Sequence, residues 1–326
     1  MRKRILLLAL LCLSLMAGSV GLGTSASAGP NDPTIILGGR PNGNRSSAVL
    51  SMESLIGRQL ATVRVYYLWD SPFPDTYSNW LVANNRAIFM SVKAKRVNGQ
   101  IVPWRAIADA QPGSTLHNDI VRWANRLKAI PQRVYFVFHH EPEAATNLNN
   151  GNASDFIAAW RKVITVLRQQ GVTNAEYVWT MTDYSFWVQD RRRASLWYPG
   201  DAYVDHLGAD AYNWYRCRPG INTPWWSLQQ IIEPFRQFGL AHPTKGLMLP
   251  EWASAEDPAR PGRKGQWDAD ARALFKQPGW EQFKALLPYH YPSNIGTCNW
   301  FVNSSQSALD GFRAMANDVY YSRSSP

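Results

Sequence analysis

The segment VYFVFHHEPE, residues 134–143, changes abruptly from apolar, strand-forming residues to two histidines and two glutamates. A continuous apolar run of this kind is typical of a strand that is buried on both faces of a parallel sheet. Because all strands of a parallel barrel point the same way, polar residues that end one strand meet those of the others at one face. We therefore interpret residues 133–140 as a barrel strand whose end carries functional side chains.

Apolar, β-rich runs like this one recur along the chain, and helix-like stretches separate them. Strand followed by helix, repeated eight times, predicts an α/β fold of the (β/α)8 TIM barrel type, and 326 residues is an ordinary length for one such domain. The alternative is a doubly wound open sheet, but no G-x-G-x-x-G motif follows the first strand. The predicted strands are residues 34–39, 62–69, 87–94, 133–140, 175–182, 204–212, 246–252 and 283–291.

The N-terminus has the three parts of a secretory signal. Basic MRKR precedes the apolar run of residues 5–18, and the small residues SASA end at Ala28. We expect cleavage after Ala28, which leaves residues 29–326 as one secreted, extracellular catalytic domain. An uncleaved membrane anchor is the alternative.

The chain is basic, with 34 Lys and Arg against 24 Asp and Glu and a net charge of +10. Loss of residues 1–28 removes three of the positive charges and no acidic residue, so the mature chain keeps +7. This charge favours adsorption to acidic polymers or cell surfaces, whereas no nucleic-acid-binding motif accompanies it. No later run approaches the roughly 18 apolar residues of a membrane span. We expect a monomer with neither a nucleic-acid nor a membrane partner.

Two carboxylates lie at predicted strand ends, Glu141 after strand four and Glu251 in the LPEW segment that ends strand seven. Glycoside hydrolysis needs such a pair, and in retaining enzymes the two groups lie about 5 to 5.5 Å apart. We assign Glu141 as the general acid/base and Glu251 as the nucleophile. A salt bridge at the barrel rim would explain either residue equally well, and Glu143 is a competing acid that we expect at the rim.

These residues resemble those of the retaining glycoside hydrolases of clan A, and within that clan family 26, best known for endo-β-mannanases. That family has His before the acid, as His140 precedes Glu141, and WYPGDAYVDHLGADAYNW, residues 197–214, is similar to its segment leading into strand six. The resemblance implies that Asp210 binds substrate near the cleaved bond and that the Tyr212 hydroxyl holds the nucleophile. After the acid, PEAATNLNNGN replaces the family's Trp-rich run, so a sugar-stacking platform is missing or supplied elsewhere.

His139 and His140 also raise the question of a metal site. Adjacent residues of a strand point to opposite faces, and the sequence has no H-E-x-x-H motif. We therefore expect no metal and no cofactor. His140 is expected to hydrogen-bond the sugar or a neighbouring carboxylate, and His139 is expected to be a buried histidine whose hydrogen bonds are made within the fold.

Further residues are expected around the cleft. Arg64, in strand two, would place a cation beside the nucleophile or form an ion pair at the edge of the core. Trp300, after strand eight, would form a floor under the sugar. Cys217 and Cys298 would form a disulfide in an oxidising exterior, with two free thiols as the alternative. Other aromatic residues near predicted strand ends are Trp69, Trp187, Trp214, Trp225 and Trp226.

Together these features predict a secreted retaining endo-glycosidase that acts on a β-linked polysaccharide, with β-1,4-mannan as the first candidate. Xylan, β-glucan and microbial wall polymers follow. One alternative is a hydrolase of cell-envelope glycans, which the basic charge would help to dock. Another is a carbohydrate-binding barrel without turnover, for which the aromatic residues and the disulfide would be equally natural.

Overall fold

The computed structural model describes residues 32–293 and 295–325, so the predicted signal, residues 1–28, lies outside the described residues. Strands and helices alternate along this part of the chain. No helix within it is both long and apolar enough to cross a bilayer. The strands are β1 Ile36–Leu37, β2 Thr62–Leu68, β3 Ala87–Lys93, β4 Val134–Phe138, β5 Ala175–Thr182, β6 His206–Asn213, β7 Gly246–Ser254 and β8 Phe283–Pro288.

The eight strands form one parallel sheet in the order β1-β8-β7-β6-β5-β4-β3-β2. Hydrogen bonds between the first two strands close it, because the Ala61 amide donates to the Leu37 carbonyl at 3.0 Å and the Gly39 amide to the Thr62 carbonyl at 3.1 Å. The sheet is therefore a closed barrel. The predicted (β/α)8 fold is confirmed, and the doubly wound alternative is wrong.

The helices surround the barrel, and their ends follow local sequence signals. Helix α1 ends at Gly57, whose φ of 75° is a left-handed conformation that glycine adopts without strain. Helices α2, α5 and α6 begin with capping boxes, led by Asp75, Asn152 and Ser227. The helices are α1 Ser46–Ile56, α2 Thr76–Ala83, α3 Trp104–Ala108, α4 Thr115–Lys128, α5 Ala153–Gln169, α6 Leu228–Leu240, α7 Arg263–Leu274 and α8 Gln306–Ala316.

Two apolar layers hold the barrel together. A large cluster lies between strands and helices, and a smaller one fills the barrel interior. Because the interior is packed, substrate access is restricted to the ends of the strands. The interior cluster consists of Ile36, Phe89, Tyr135, Val137, Val178, Met248, Ala285 and Leu287.

Strand β4 is shorter than predicted, because it ends at Phe138 and excludes both histidines. His139 and Glu141 have φ values of 53° and 49°, left-handed conformations that are incompatible with a continued strand. Neighbouring strands still hold this backbone, since the His139 amide donates to the Val92 carbonyl at 2.9 Å and the Glu141 amide to the Thr180 carbonyl at 3.0 Å. The segment that carries the predicted acid is thus a fixed kink.

Candidate active site

The C-terminal ends of β2, β4, β6 and β7 bring the predicted site residues together. Glu251 of β7 lies opposite Asp210 of β6 in the strand register. Arg64 of β2 is completely buried, with its guanidinium carbon 5.0 Å from the centre of the Phe89 ring of the barrel interior. Glu251, Asp210 and Arg64 therefore lie at the same end of the barrel.

Two tyrosines fix the Glu251 carboxylate, which is only 7% exposed. The Tyr212 hydroxyl donates to Oε2 at 2.7 Å, and the Tyr66 hydroxyl donates to Oε1. The Arg64 guanidinium lies 3.8 Å from Oε1 of Glu251. Both expectations for Arg64, an ion pair and a position beside Glu251, are met by this one contact. With one phenol on each oxygen, the carboxylate is held in a defined orientation with a buried positive charge beside it.

The place of Tyr66 beside Glu251 was not predicted, although the sequence contains a signal for it. Side chains alternate along a strand, so residues two apart share a face. Tyr66 stands two positions after Arg64 in β2, and both side chains face Glu251. The alternation therefore could have placed Tyr66 beside Glu251 once Arg64 was assigned there.

Glu141 has a different environment from Glu251. Burial raises the pKa of its carboxyl well above the ordinary value, and the negative charges of Glu251 and Glu143 raise it further. The Asn147 side-chain amide donates to the Glu141 backbone carbonyl at 2.8 Å, which helps to fix the kinked backbone. A carboxyl with such a raised pKa keeps its proton near neutrality, as a general acid must.

Asp210 is a second carboxyl with a raised pKa. Its side chain is 1% exposed, and neither oxygen has a hydrogen-bond partner among the described protein groups. Burial raises the pKa well above the usual range, and Glu251 and Glu141 add to the shift. An ionised carboxylate without hydrogen-bond partners is costly to bury, so this environment favours the protonated form of Asp210, which can donate a hydrogen bond.

The two histidines face opposite sides of the kink. His139 points outward, where its Nδ1 accepts hydrogen bonds from the Trp104 indole at 3.1 Å and the Ala94 amide at 3.2 Å. Burial lowers the pKa of His139 to about 3, so the ring is neutral. His140 lies on the other side, with its ring 5.3 Å from Tyr66, and burial together with the Arg64 charge lowers its pKa well below the ordinary value. His139 is thus an anchor, and His140 faces the site.

Glu143 lies in the loop after β4, as expected, but its side chain is buried, with 1% exposure. Its Oε1 accepts hydrogen bonds from the Thr182 amide at 2.8 Å, the Thr182 hydroxyl at 2.7 Å and the Ser185 hydroxyl at 2.6 Å. These bonds tie the loop after β4 to the end of β5. Burial also raises the pKa of nearby Asp183 to about 8, and the Glu143 charge acts in the same direction.

The disulfide and Trp300 lie behind Tyr212. Cys217 and Cys298 are bonded, with Cα atoms 4.8 Å apart, which confirms the predicted pair. Trp300 is 3% exposed, and its ring centre lies 5.0 Å from Tyr212 and 5.0 Å from Trp214. The structure places Trp300 as support for the tyrosine that holds Glu251, and its role as a floor under the sugar stays a prediction.

Comparison with known proteins gives a consistent result. The sequence profile described as glycosyl hydrolase family 26 matches residues 114–247. Endoglucanase H of Acetivibrio thermocellus is 27% identical over 96% of this chain, and the chain spans about a third (33%) of that protein.

Solved structures agree in fold. An endo-β-1,4-mannanase of Cellulomonas fimi, as a double mutant, is 16% identical with a TM-score of 0.59, covering 89% of this chain and 74% of its own. The β-mannanase BoMan26A of Bacteroides ovatus is 15% identical with a TM-score of 0.57, covering 88% and 90%. GH26C of Muricauda is 13% identical with a TM-score of 0.60, covering 89% and 87%.

A closed barrel with one carboxyl just beyond β4 and a second in β7 has the architecture of the clan A glycoside hydrolases. The sequence matches point to the same class. Within that clan, the chain resembles family 26.

Proposed function

We propose that the protein is a retaining endo-glycosidase that hydrolyses a β-linked polysaccharide. The observation that carries this proposal is the contrast between its two glutamates. Glu251 is oriented by two phenols beside Arg64, whereas burial and negative neighbours raise the pKa of Glu141. Two carboxyl groups in opposed environments are the requirement of double displacement.

In the first step, Glu251 attacks the anomeric carbon as the bond to the leaving oxygen breaks, and Glu141 gives its proton to that oxygen. In the second step, Glu141 removes a proton from water, which attacks the same carbon and releases Glu251. The electrostatics support this change of role. Once Glu251 is esterified its negative charge is lost, and with it one cause of the raised pKa of Glu141, so that Glu141 stays ionised after giving up its proton and is available as the base.

The first substrate to test is β-1,4-mannan, since several of the similar structures are named endo-β-1,4-mannanases. β-Glucan comes next, because of the resemblance to Endoglucanase H. The predicted N-terminal signal favours an extracellular enzyme, and the basic charge keeps cell-envelope glycans as a second candidate.

The test is a digest by residues 29–326 of mannans, xylans, β-glucans and bacterial wall glycans, with the Glu251→Ala variant beside it. Oligosaccharide chromatography at early times distinguishes endo from exo action, and NMR of the first product gives its anomeric configuration. We expect long oligosaccharides with the β configuration from wild type only. Product with the α configuration would exclude retention, and binding without any hydrolysis would favour a non-catalytic barrel.

The pH dependence follows from the raised pKa of Glu141. As the pH rises through that value, Glu141 loses the proton that the leaving oxygen needs, so kcat/KM on polysaccharide is expected to fall on the alkaline side. A 2,4-dinitrophenyl glycoside of the same sugar is the control, because its leaving group needs no proton. Its kcat/KM should stay level over that range, and an equal fall for both substrates would contradict the assignment.

The tyrosines that hold Glu251 give a separate prediction. Tyr66→Phe and Tyr212→Phe each remove one hydrogen bond to the carboxylate, so each is expected to lower kcat by about 10- to 100-fold. Tyr184→Phe, at a tyrosine that is 50% exposed, is the matched control. Steady-state kinetics and melting temperatures are measured together, and variants that melt as wild type yet keep full kcat would refute the positioning role.

A further inference from the structure

The loop that follows β6 exposes two arginines, Arg216 and Arg218, on the catalytic face. Neither guanidinium has an ion-pair partner within residues 32–293 and 295–325. Arg263 nearby differs, because it pairs with Asp257 at 2.7 Å. Two acidic residues line the smaller cavity beside Arg216: Asp257 is paired with Arg263, and Glu256 accepts a hydrogen bond from Ser304.

Each free guanidinium lies over an aromatic ring. Arg218 is 5.2 Å from the centre of the Trp214 ring, and Arg216 is 5.3 Å from that of Tyr215. Tyr215 in turn contacts Trp225, with ring centres 5.4 Å apart. A guanidinium stacked on a ring loses mobility while its N–H edge stays free, and that planar edge matches the two oxygens of a carboxylate.

This group of residues is connected to the nucleophile. Trp214 lies 5.5 Å from Tyr212, whose hydroxyl donates to Glu251 at 2.7 Å. Only two aromatic rings thus separate Arg218 from the reacting carboxylate. The loop therefore lies at the same end of the barrel as Glu251.

The loop also borders open space and has a strained backbone. Arg216 and Cys217 line two adjoining cavities of about 380 and 700 Å³. Arg216 has a φ of 51°, which is unfavourable for a side chain of its size, and the disulfide to Cys298 holds the next residue. The structure maintains this costly conformation beside the cavities, with the arginine at their shared wall.

We infer that Trp214, Tyr215, Arg216, Arg218 and Trp225 form a subsite for an acidic sugar, and that the natural substrate is a β-linked glycan bearing carboxylate groups. The aromatic rings carry the arginines, with Arg218 over Trp214 and Arg216 over Tyr215, and Arg263 lies 4.3 Å from the centre of the Trp225 ring. The two guanidinium groups bind the carboxylate. The inference rests on the proposed glycosidase function and adds the chemical class of its substrate.

The experiment measures binding apart from turnover. The Glu251→Gln protein is titrated calorimetrically with carboxymethylated mannan and with hydroxyethylated mannan of equal substitution, and the same pair of β-1,4-glucans is used alongside. Phosphorylated mannan distinguishes carboxylate recognition from attraction to any anion. We expect about tenfold tighter binding of a carboxymethylated polymer, and a preference that shrinks at 0.5 M NaCl.

Arg216→Gln/Arg218→Gln in the same background should abolish the preference. The matched control is Lys128→Gln/Arg323→Gln, which removes two positive charges at the opposite end of the barrel. Equal binding of charged and neutral polymers, or an equal loss in both double variants, would overturn the inference. Equal or tighter binding of the phosphorylated polymer would overturn the carboxylate assignment.

Wild-type hydrolysis of the same polymers separates the two proposals. Tighter binding of the carboxymethylated polymers without any hydrolysis would support the acidic-sugar subsite and refute the glycosidase function. Hydrolysis without a binding preference would support the glycosidase function and refute the subsite. Melting temperatures establish that the variants are folded.

Discussion

Replacing Glu251 with alanine is expected to lower kcat on polysaccharide by at least about four orders of magnitude, because it removes the group that we propose forms the covalent intermediate. The same change leaves Arg64 buried without its carboxylate partner and frees both tyrosine hydroxyls, so some loss of stability is also expected. Glu251→Gln keeps the shape and one acceptor, and it should be equally inactive with a smaller change in melting temperature. Initial rates and thermal melts of both variants test this.

Azide provides the decisive control for Glu251→Ala. It fits the space left by the carboxylate and attacks an activated β-glycoside from the face that Glu251 occupied, so it should restore turnover and give an α-glycosyl azide. Asp270→Asn, on the exposed face of α7, controls for the loss of a carboxylate elsewhere. Full activity of Glu251→Gln on polysaccharide would show that the nucleophile is another residue.

Replacing Glu141 with glutamine is expected to have the second-largest effect, and that effect should depend on the leaving group. Hydrolysis of polysaccharide should slow by about 10²- to 10⁴-fold, because the leaving oxygen must then depart without a proton. With a 2,4-dinitrophenyl glycoside the first step needs no acid, so the intermediate forms quickly and accumulates. Stopped-flow kinetics should show a burst, and azide should release the intermediate as a β-glycosyl azide.

Glu143 supplies the comparison for Glu141. Because Glu143 is hydrogen-bonded to Thr182 and Ser185, we expect Glu143→Gln to act mainly on stability, with a clear fall in melting temperature and a small change in kcat. A leaving-group dependence in Glu143→Gln and none in Glu141→Gln would transfer the acid role to Glu143.

The fold could be predicted from the sequence because each strand has a local apolar pattern. Strand β5 occupies the predicted residues 175–182, and β7 begins at the predicted residue, Gly246. Parallel strands in a barrel all end on the same face, so predicting the order of elements also predicts which glutamates share a face. The structure places Glu141 and Glu251 at that face without any information about distances being needed.

The details that the sequence did not show depend on contacts between distant residues. Tyr66 is separated from Glu251 by 185 positions, and Glu143 is buried through Thr182 and Ser185, which follow in another strand and loop. The kink after β4 is stabilised by Trp104 and Ala94 acting on His139. Nothing in the run HHEPE by itself requires a left-handed backbone, because that conformation is unfavourable for both residues and only the surrounding fold enforces it.

The kink also has a consequence for engineering. At a φ of 49°, Glu141 occupies a conformation that glycine tolerates far better, so the fold gives up stability in order to present a carboxyl there. A search of variants for heat resistance alone would therefore favour glycine at position 141, where it removes the carboxyl that we propose as the general acid. Stability and activity are opposed at this residue, so variants selected for stability must also be screened for activity.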